Sequence, residues 1–195
     1  MLTKLIDYFS EVVQLPVEIS EIVNKISEMG IQDEIYLFEA DTDPTRLRGG
    51  FNQFTYRPGV YAEPRFVTHI VYSKNVDIPW QRAICAKELV HLFDSEVAKT
   101  DTETEVSQLL DRLVGPLSSE DYGLVDLQAA KDRLALYQSL PLLMPKAARD
   151  VARQALKDGT HTIDEIADWA CMPRELVALV LSDEWVPLNG AMNGL

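Results

Sequence analysis

The stretch from Asp77 to Asp94, which reads D-I-P-W-Q-R-A-I-C-A-K-E-L-V-H-L-F-D, constrains the fold more than any other part of the chain. It predicts one helix, because the Asp77 carboxylate can cap the first turn and Pro79 falls where no backbone N–H donor is needed. Apolar residues occur on nearly every side of this helix, and that pattern is typical of a buried helix. We therefore expect the rest of the chain to pack around it.

Three ionisable residues, Lys87, Glu88 and His91, interrupt this apolar helix. At about 100° per residue, Lys87 and His91 share one face and Glu88 lies at its edge. Buried charges are costly unless they are paired, so we expect Lys87 to form an ion pair with Glu88 or another partner. The order K-E-L-V-H differs by one residue from H-E-x-x-H, in which two histidines bind zinc and the glutamate acts on metal-bound water. An ammonium group at position 87 would repel such an ion.

Composition limits the classes of function. The chain has 195 residues, 47% of them hydrophobic and 25% charged, which suits one globular domain or one domain with a small appendage. A net charge of −13 argues against a surface that binds phosphate backbones, and it leaves room for a basic protein partner. Cys85 and Cys171 lie in apolar helical segments and form no disulfide framework. With no leader pattern and no membrane-length apolar run, we expect a cytoplasmic protein that does not contact membranes.

Hydrophobic periodicity predicts an α+β fold. A small three-stranded sheet, which we expect to be antiparallel, precedes the central helix, and the C-terminal half is largely helical. The Gly/Asn-rich tail 188–195 is expected to be flexible. The predicted strands are 35–40, 51–56 and 65–72, and the other predicted helices are 2–14, 17–29, 103–114, 123–140, 146–156, 163–170 and 173–181.

The span 94–126 is unusually acidic. It holds nine acidic residues against Lys99 and Arg112, a net charge of −7. A run of this kind is most often the solvated face of a helix, here 103–114, and the alternative is a surface that binds a basic partner. An acidic surface that mimics nucleic acid is a further possibility that the charge permits.

The segment 160–187 predicts a helix-turn-helix-like pair, with Thr162 and Glu165 spaced for a capping box. A helix that reads DNA needs cations for phosphates and donors for bases. This segment holds six acidic residues and one basic residue, Arg174. We therefore expect the pair to pack on the domain, and we do not expect direct DNA binding.

Three segments together resemble ImmA/IrrE-type proteins, compact bacterial and phage relatives of the zincin metallopeptidases. They are the strand 65–72 that leads into K-E-L-V-H, the L-L-M-P block at 142–145, and the helix pair that follows. The resemblance implies a zincin-like domain over 1–159 with N-terminal helices, on which the pair 160–187 packs.

The family's site residues are carried over only in part. Its general-base glutamate falls on Glu88 and its second zinc histidine on His91, whereas its first zinc histidine falls on Lys87. The third ligand, an acid before the L-L-M-P block, falls on Leu134. Asp132 lies two positions away, so we expect it to point to a different part of its helix.

The resemblance therefore implies a metallopeptidase-like protein that has lost catalysis and acts by protein–protein contact, in a regulatory or phage-related setting. No cofactor or metal is expected, because a catalytic zinc needs three protein ligands and an open position. The alternative is an active zinc peptidase with a rebuilt ligand set of His91, Glu88 and either Asp132 or His69. For His69, which lies within the third strand, a local hydrogen bond on the sheet is the simpler interpretation.

Overall fold

The computed structural model describes residues 1–44, 48–93 and 124–193, with only the backbone for 124–130. These residues form an α+β fold with a helical C-terminal half, as the periodicity predicts. None of the helices described here combines the length and apolarity that crossing a membrane requires. The strands are β1 (Glu34–Ala40), β2 (Gly49–Tyr56) and β3 (Arg65–Ser73), and the helices are α1 (Leu2–Phe9), α2 (Ile19–Glu28), α3 (Ile78–Val90), α4 (Leu124–Leu143), α5 (Lys146–Lys157), α6 (Ile163–Ala170), α7 (Arg174–Leu181) and α8 (Trp185–Asn193).

The sheet is mixed, so the prediction of an antiparallel sheet is wrong in part. The strand order is β1-β3-β2, in which β2 pairs antiparallel with β3 and β1 pairs parallel with β3. Two parallel strands need a crossover connection. The connection from β1 to β3 is the part of the chain that contains β2. Sequence periodicity identifies the strands. It does not show that β1 pairs with β3 and that β1 and β2 form no hairpin.

The central helix α3 packs against one face of the sheet, which we call the inner face and which carries Phe51, Ile70 and Tyr72. The predicted cap is confirmed, because the Asp77 carboxylate accepts a hydrogen bond of 2.9 Å from the Trp80 backbone N–H. The α-helix ends at Val90, and a 3-10 turn covers His91–Phe93. Seven of its thirteen residues are buried, as expected for a helix that is apolar on most sides.

Helix α4 continues through Pro141 to Leu143, past the expected end at residue 140. A proline inside a helix costs about 3 kcal/mol, because one backbone hydrogen bond is lost and the ring crowds the preceding turn. Leu140, Leu142 and Leu143 are fully buried, and each buried leucine contributes about 1.5–3 kcal/mol. Burial of these side chains therefore outweighs the cost of Pro141.

The two ends of the chain also differ from expectation, and both differences come from contacts between distant segments. Helix α1 stops at Phe9, and the Ser10 carbonyl accepts a hydrogen bond of 2.9 Å from the Ala147 N–H. Where a flexible tail was expected, α8 runs to Asn193, whose carbonyl accepts a hydrogen bond of 3.2 Å from the Thr3 hydroxyl. Met192 and Asn193 are buried.

Gly49 gives a direct test of how closely β2 packs on α3. A Cβ at this position would lie 2.2 Å from Ile84 Cγ2 and 3.1 Å from Glu88 Oε1. We expect Gly49→Ala to lower the free energy of unfolding by about 1–3 kcal/mol, because a packed interface must move to admit the methyl group. Urea unfolding measures the loss. Gly59→Ala is the control, since a Cβ there meets nothing within 4 Å, and an equal loss in both variants would contradict the expectation.

Candidate functional site

Four ionisable side chains, Lys87, Glu88, His91 and Asp132, meet where α3 and the turn after it contact α4; we call them the polar cluster. Lys87 Nζ lies 2.7 Å from Glu88 Oε1 and 3.3 Å from Asp132 Oδ2. His91 Nε2 lies 3.7 Å from Asp132 Oδ1 and 4.0 Å from Glu88 Oε2. The ammonium group therefore lies between two carboxylates, and the expected ion pair between Lys87 and Glu88 is present.

Glu88 is the most deeply buried member of the polar cluster, with 3% of its side chain exposed. Burial raises the pKa of its carboxyl group, and the nearby charge of Lys87 offsets part of that rise. The approach of Lys87 to Oε1 lacks the angles of a hydrogen bond, so this oxygen has no hydrogen-bond partner among the described residues. The charge of Lys87 is thus the main influence that favours the ionised form of Glu88.

Asp132 belongs to this cluster, contrary to our expectation that it points elsewhere on its helix. The nearby His91 imidazole lowers the pKa of its carboxyl group, burial opposes this effect, and the charge of Lys87 lowers the pKa further. Leu134, on which the family's third ligand falls, is partly buried against the hydrophobic core. The packing of α4 on α3 decides which residue faces His91, and counting back from the L-L-M-P block does not reveal that packing.

His69 lies apart from the polar cluster. Successive side chains of a strand point to opposite faces of the sheet, and Ile70 lies on the inner face. The His69 side chain therefore lies on the other face, among Tyr36, Phe38 and Phe54. The centroids of these three rings lie 4.8–5.9 Å from that of the His69 ring. The position of His69 on the sheet face agrees with the simpler interpretation and separates it from His91. Its ring contacts are with aromatic residues, and the predicted hydrogen bond stays a prediction.

Sequence reasoning missed two neighbours of the polar cluster on β2. Gly49 lies against Glu88, and the ring centroid of Phe51 lies 5.9 Å from that of His91. A glycine pair and alternating aromatics predict a strand and its turn, but they carry no signal of contact with α3. Gly49 and Phe51 enclose the polar cluster on the side that faces the sheet.

The residues present do not fit a catalytic zinc ion. Such an ion needs three protein ligands with nitrogen, oxygen or sulfur lone pairs and an open position. His91, Glu88 and Asp132 carry such lone pairs, but Lys87 Nζ lies between the two carboxylates, where a cation would have to lie. Across residues 1–44, 48–93 and 124–193, no group of three or more His, Cys, Asp or Glu is arranged to hold a metal ion.

The terminal helix pair forms as predicted, with both bonds of the Thr162–Glu165 capping box. The turn between α6 and α7 places Cys171 in the left-handed region at φ 48°. Arg174, the basic residue of the second helix, lies 2.5 Å from Asp164 in an ion pair. Helix α7 buries Leu176, Val177, Val180 and Leu181, which agrees with a packing role for the pair.

Comparison of the chain with models of known protein families, with curated proteins and with solved structures finds no match. Residues 94–123, which carry most of the acidic span and the predicted helix 103–114, lie outside the described residues. The site must therefore be interpreted from the geometry of the polar cluster.

Proposed function

We propose that this chain is a metallopeptidase-like protein without peptidase activity, which acts by binding another protein. One observation carries the proposal: Lys87 Nζ lies between the Glu88 and Asp132 carboxylates, at 2.7 Å and 3.3 Å. The lysine side chain in that position supplies a positive charge beside the two acids. It leaves neither a metal-bound water nor a free general base at Glu88.

A role in protein contact is supported by the sheet face that carries His69, which we call the outer face. Tyr36 and Phe38 of β1 and Phe54 and Tyr56 of β2 are each about 40–50% exposed there. Monomeric proteins rarely leave aromatic clusters of this kind open to water, and tyrosine and phenylalanine are enriched at interfaces. Since the chain carries a net charge of −13, the partner that suits it is a basic protein.

The second candidate is the zinc peptidase with a rebuilt site, and the position of Asp132 favours it. His91 Nε2 and Asp132 Oδ1 lie 3.7 Å apart, which is close enough for both to approach one ion if Lys87 moved away. This candidate requires loss of the Lys87–Glu88 pair and exposure of a buried carboxylate, and that energetic cost is why we place it second.

Two measurements on the purified chain test the proposal. After incubation with zinc and removal of the excess, elemental analysis is expected to find well under one zinc ion per chain. A mixture of peptides presented as substrates is expected to remain intact in the presence of zinc, as judged by mass spectrometry. Stoichiometric zinc together with cleavage that Glu88→Gln abolishes would establish the second candidate instead.

A further inference from the structure

A cleft of about 370 Å³ lies between α1, the junction of α4 with α5, and α8, on residues that do not belong to the polar cluster. Its volume lies within the range of small-ligand pockets, which are mostly apolar and carry a few polar groups that orient the ligand. Ile6, Met144 and Trp185 form apolar walls, and all three side chains are nearly fully buried. The exposed Val186 also lines the cleft and supplies apolar surface that a ligand can reach.

Arg149 provides a buried positive charge in this cleft, with 6% of the residue exposed. Its Nε donates a hydrogen bond of 2.7 Å to the Val180 carbonyl, and Nη2 donates a longer one, 3.5 Å, to the Ser182 carbonyl. Its Nη1 lies 3.3 Å from Asp150 Oδ1 on the largely exposed side chain of that residue. Burial lowers the pKa of the guanidinium group, because it removes the charge from water, and the nearby carboxylates of Asp150 and Asp183 oppose this effect.

A guanidinium group has five N–H donors, and the bonds just given account for one N–H on each nitrogen. The two that remain belong to Nη1 and Nη2, the atoms that pair most often with a carboxylate. A ligand carboxylate at this position would gain a charge-assisted interaction in surroundings with little water. This is the strongest single feature by which the cleft could recognise a ligand.

Two acidic residues also line the cleft. Asp7 at the end of α1 and Glu11 just after it line the cleft, and both are exposed. An ammonium group near them would keep contact with water and with two carboxylates. The cleft thus combines the buried Arg149 and the exposed Lys146, both on α5, with two exposed carboxylates at the end of α1 and just after it.

We infer that this cleft binds a short apolar peptide with both ends free, the size of a dipeptide. Its C-terminal carboxylate would pair with Arg149, its N-terminal ammonium would lie near Asp7 and Glu11, and its side chains would contact Val186. The cation belongs to α5 and the carboxylates to the segment 7–11, and a dipeptide separates its two charges by a longer stretch of chain than a single amino acid does. The inference does not depend on whether the polar cluster binds zinc.

Isothermal titration calorimetry of the full chain with leucyl-leucine tests this inference. We expect a dissociation constant of about 1 mM or tighter, and weakening by about tenfold or more when the carboxylate is amidated or the ammonium acetylated. Free leucine is expected to bind more weakly than the dipeptide. If leucyl-leucine produces no heat of binding up to about 10 mM, or if its amide and acetyl derivatives bind equally well, the inference is wrong.

Variants locate the site. Val186→Trp places a large side chain at an exposed position that lines the cleft, and it is expected to abolish the heat of binding. Val151→Trp is the matched control, because Val151 is also exposed on a helix but lies outside this cleft. Retained binding in Val186→Trp would overturn the assignment. Since Val186 is exposed, the variant is expected to fold, which circular dichroism verifies.

Discussion

Replacing Lys87 with histidine is expected to create a zinc site in the polar cluster. The variant would place a lone pair in the position of the ammonium group, beside His91 and Asp132, and so complete the three ligands that catalytic zinc sites use. At a zinc concentration about 100 times the dissociation constant, binding should stabilise the fold by about 2.7 kcal/mol. Elemental analysis and thermal unfolding with and without zinc measure this gain.

Two controls make the outcome specific. Lys87→Gln removes the same charge without adding a strong ligand, so zinc should not stabilise it. The double variant Lys87→His/Asp132→Asn keeps the new imidazole but loses the carboxylate that lies 3.7 Å from His91 Nε2, and it should bind zinc far more weakly. Equal zinc stabilisation of Lys87→His and of this double variant would show that Asp132 is not a ligand.

The second large effect concerns the energy of the ion pair itself. Lys87→Met is expected to lower the free energy of unfolding by about 3 kcal/mol at neutral pH, because it leaves the Glu88 carboxylate buried without its cation. Adding Glu88→Gln should recover most of that loss, since the amide carries no charge. Chemical unfolding of the two single variants and the double variant gives the coupling energy.

The loss in Lys87→Met should depend on pH in a defined direction. The pKa of Glu88 is already raised by burial, and it rises further without Lys87, so the folded variant binds a proton more tightly than the unfolded chain. The deficit is therefore fully present above the folded-state pKa and shrinks as the pH falls toward the ordinary glutamate value of 4.5. A deficit that grew on acidification would contradict this account.

Lys74→Met serves as the matched control for the loss of a lysine ion pair. Lys74 Nζ lies 2.9 Å from Asp41 Oδ2, but both side chains are largely exposed. Ion pairs in water contribute little, because solvent screens the charges and the side chains lose conformational freedom. A destabilisation as large as that of Lys87→Met would mean that burial is not what makes the cluster costly to disrupt.

Much of this fold is determined by interactions between residues that are close in the sequence. The three strands, the capped start of α3 and the capping box before α6 depend on neighbouring residues, and all are confirmed. The ion pair between Lys87 and Glu88 was also predictable, since a buried lysine beside a glutamate requires compensation. Each of these inferences uses residues within a few positions of one another.

Long-range packing decided the rest. The parallel pairing of β1 with β3, the passage of α4 through Pro141 and the ordered α8 each depend on contacts between segments far apart in the chain. The same holds for Asp132. Its position along the sequence predicted that it points away from His91, but the packing of α4 on α3 places its carboxylate 3.7 Å from His91 Nε2. The sequence by itself determined that a charged group lies in a buried helix. Only the tertiary structure decided which carboxylates surround that group, because the angle and register between two packed helices come from the fit of the whole core.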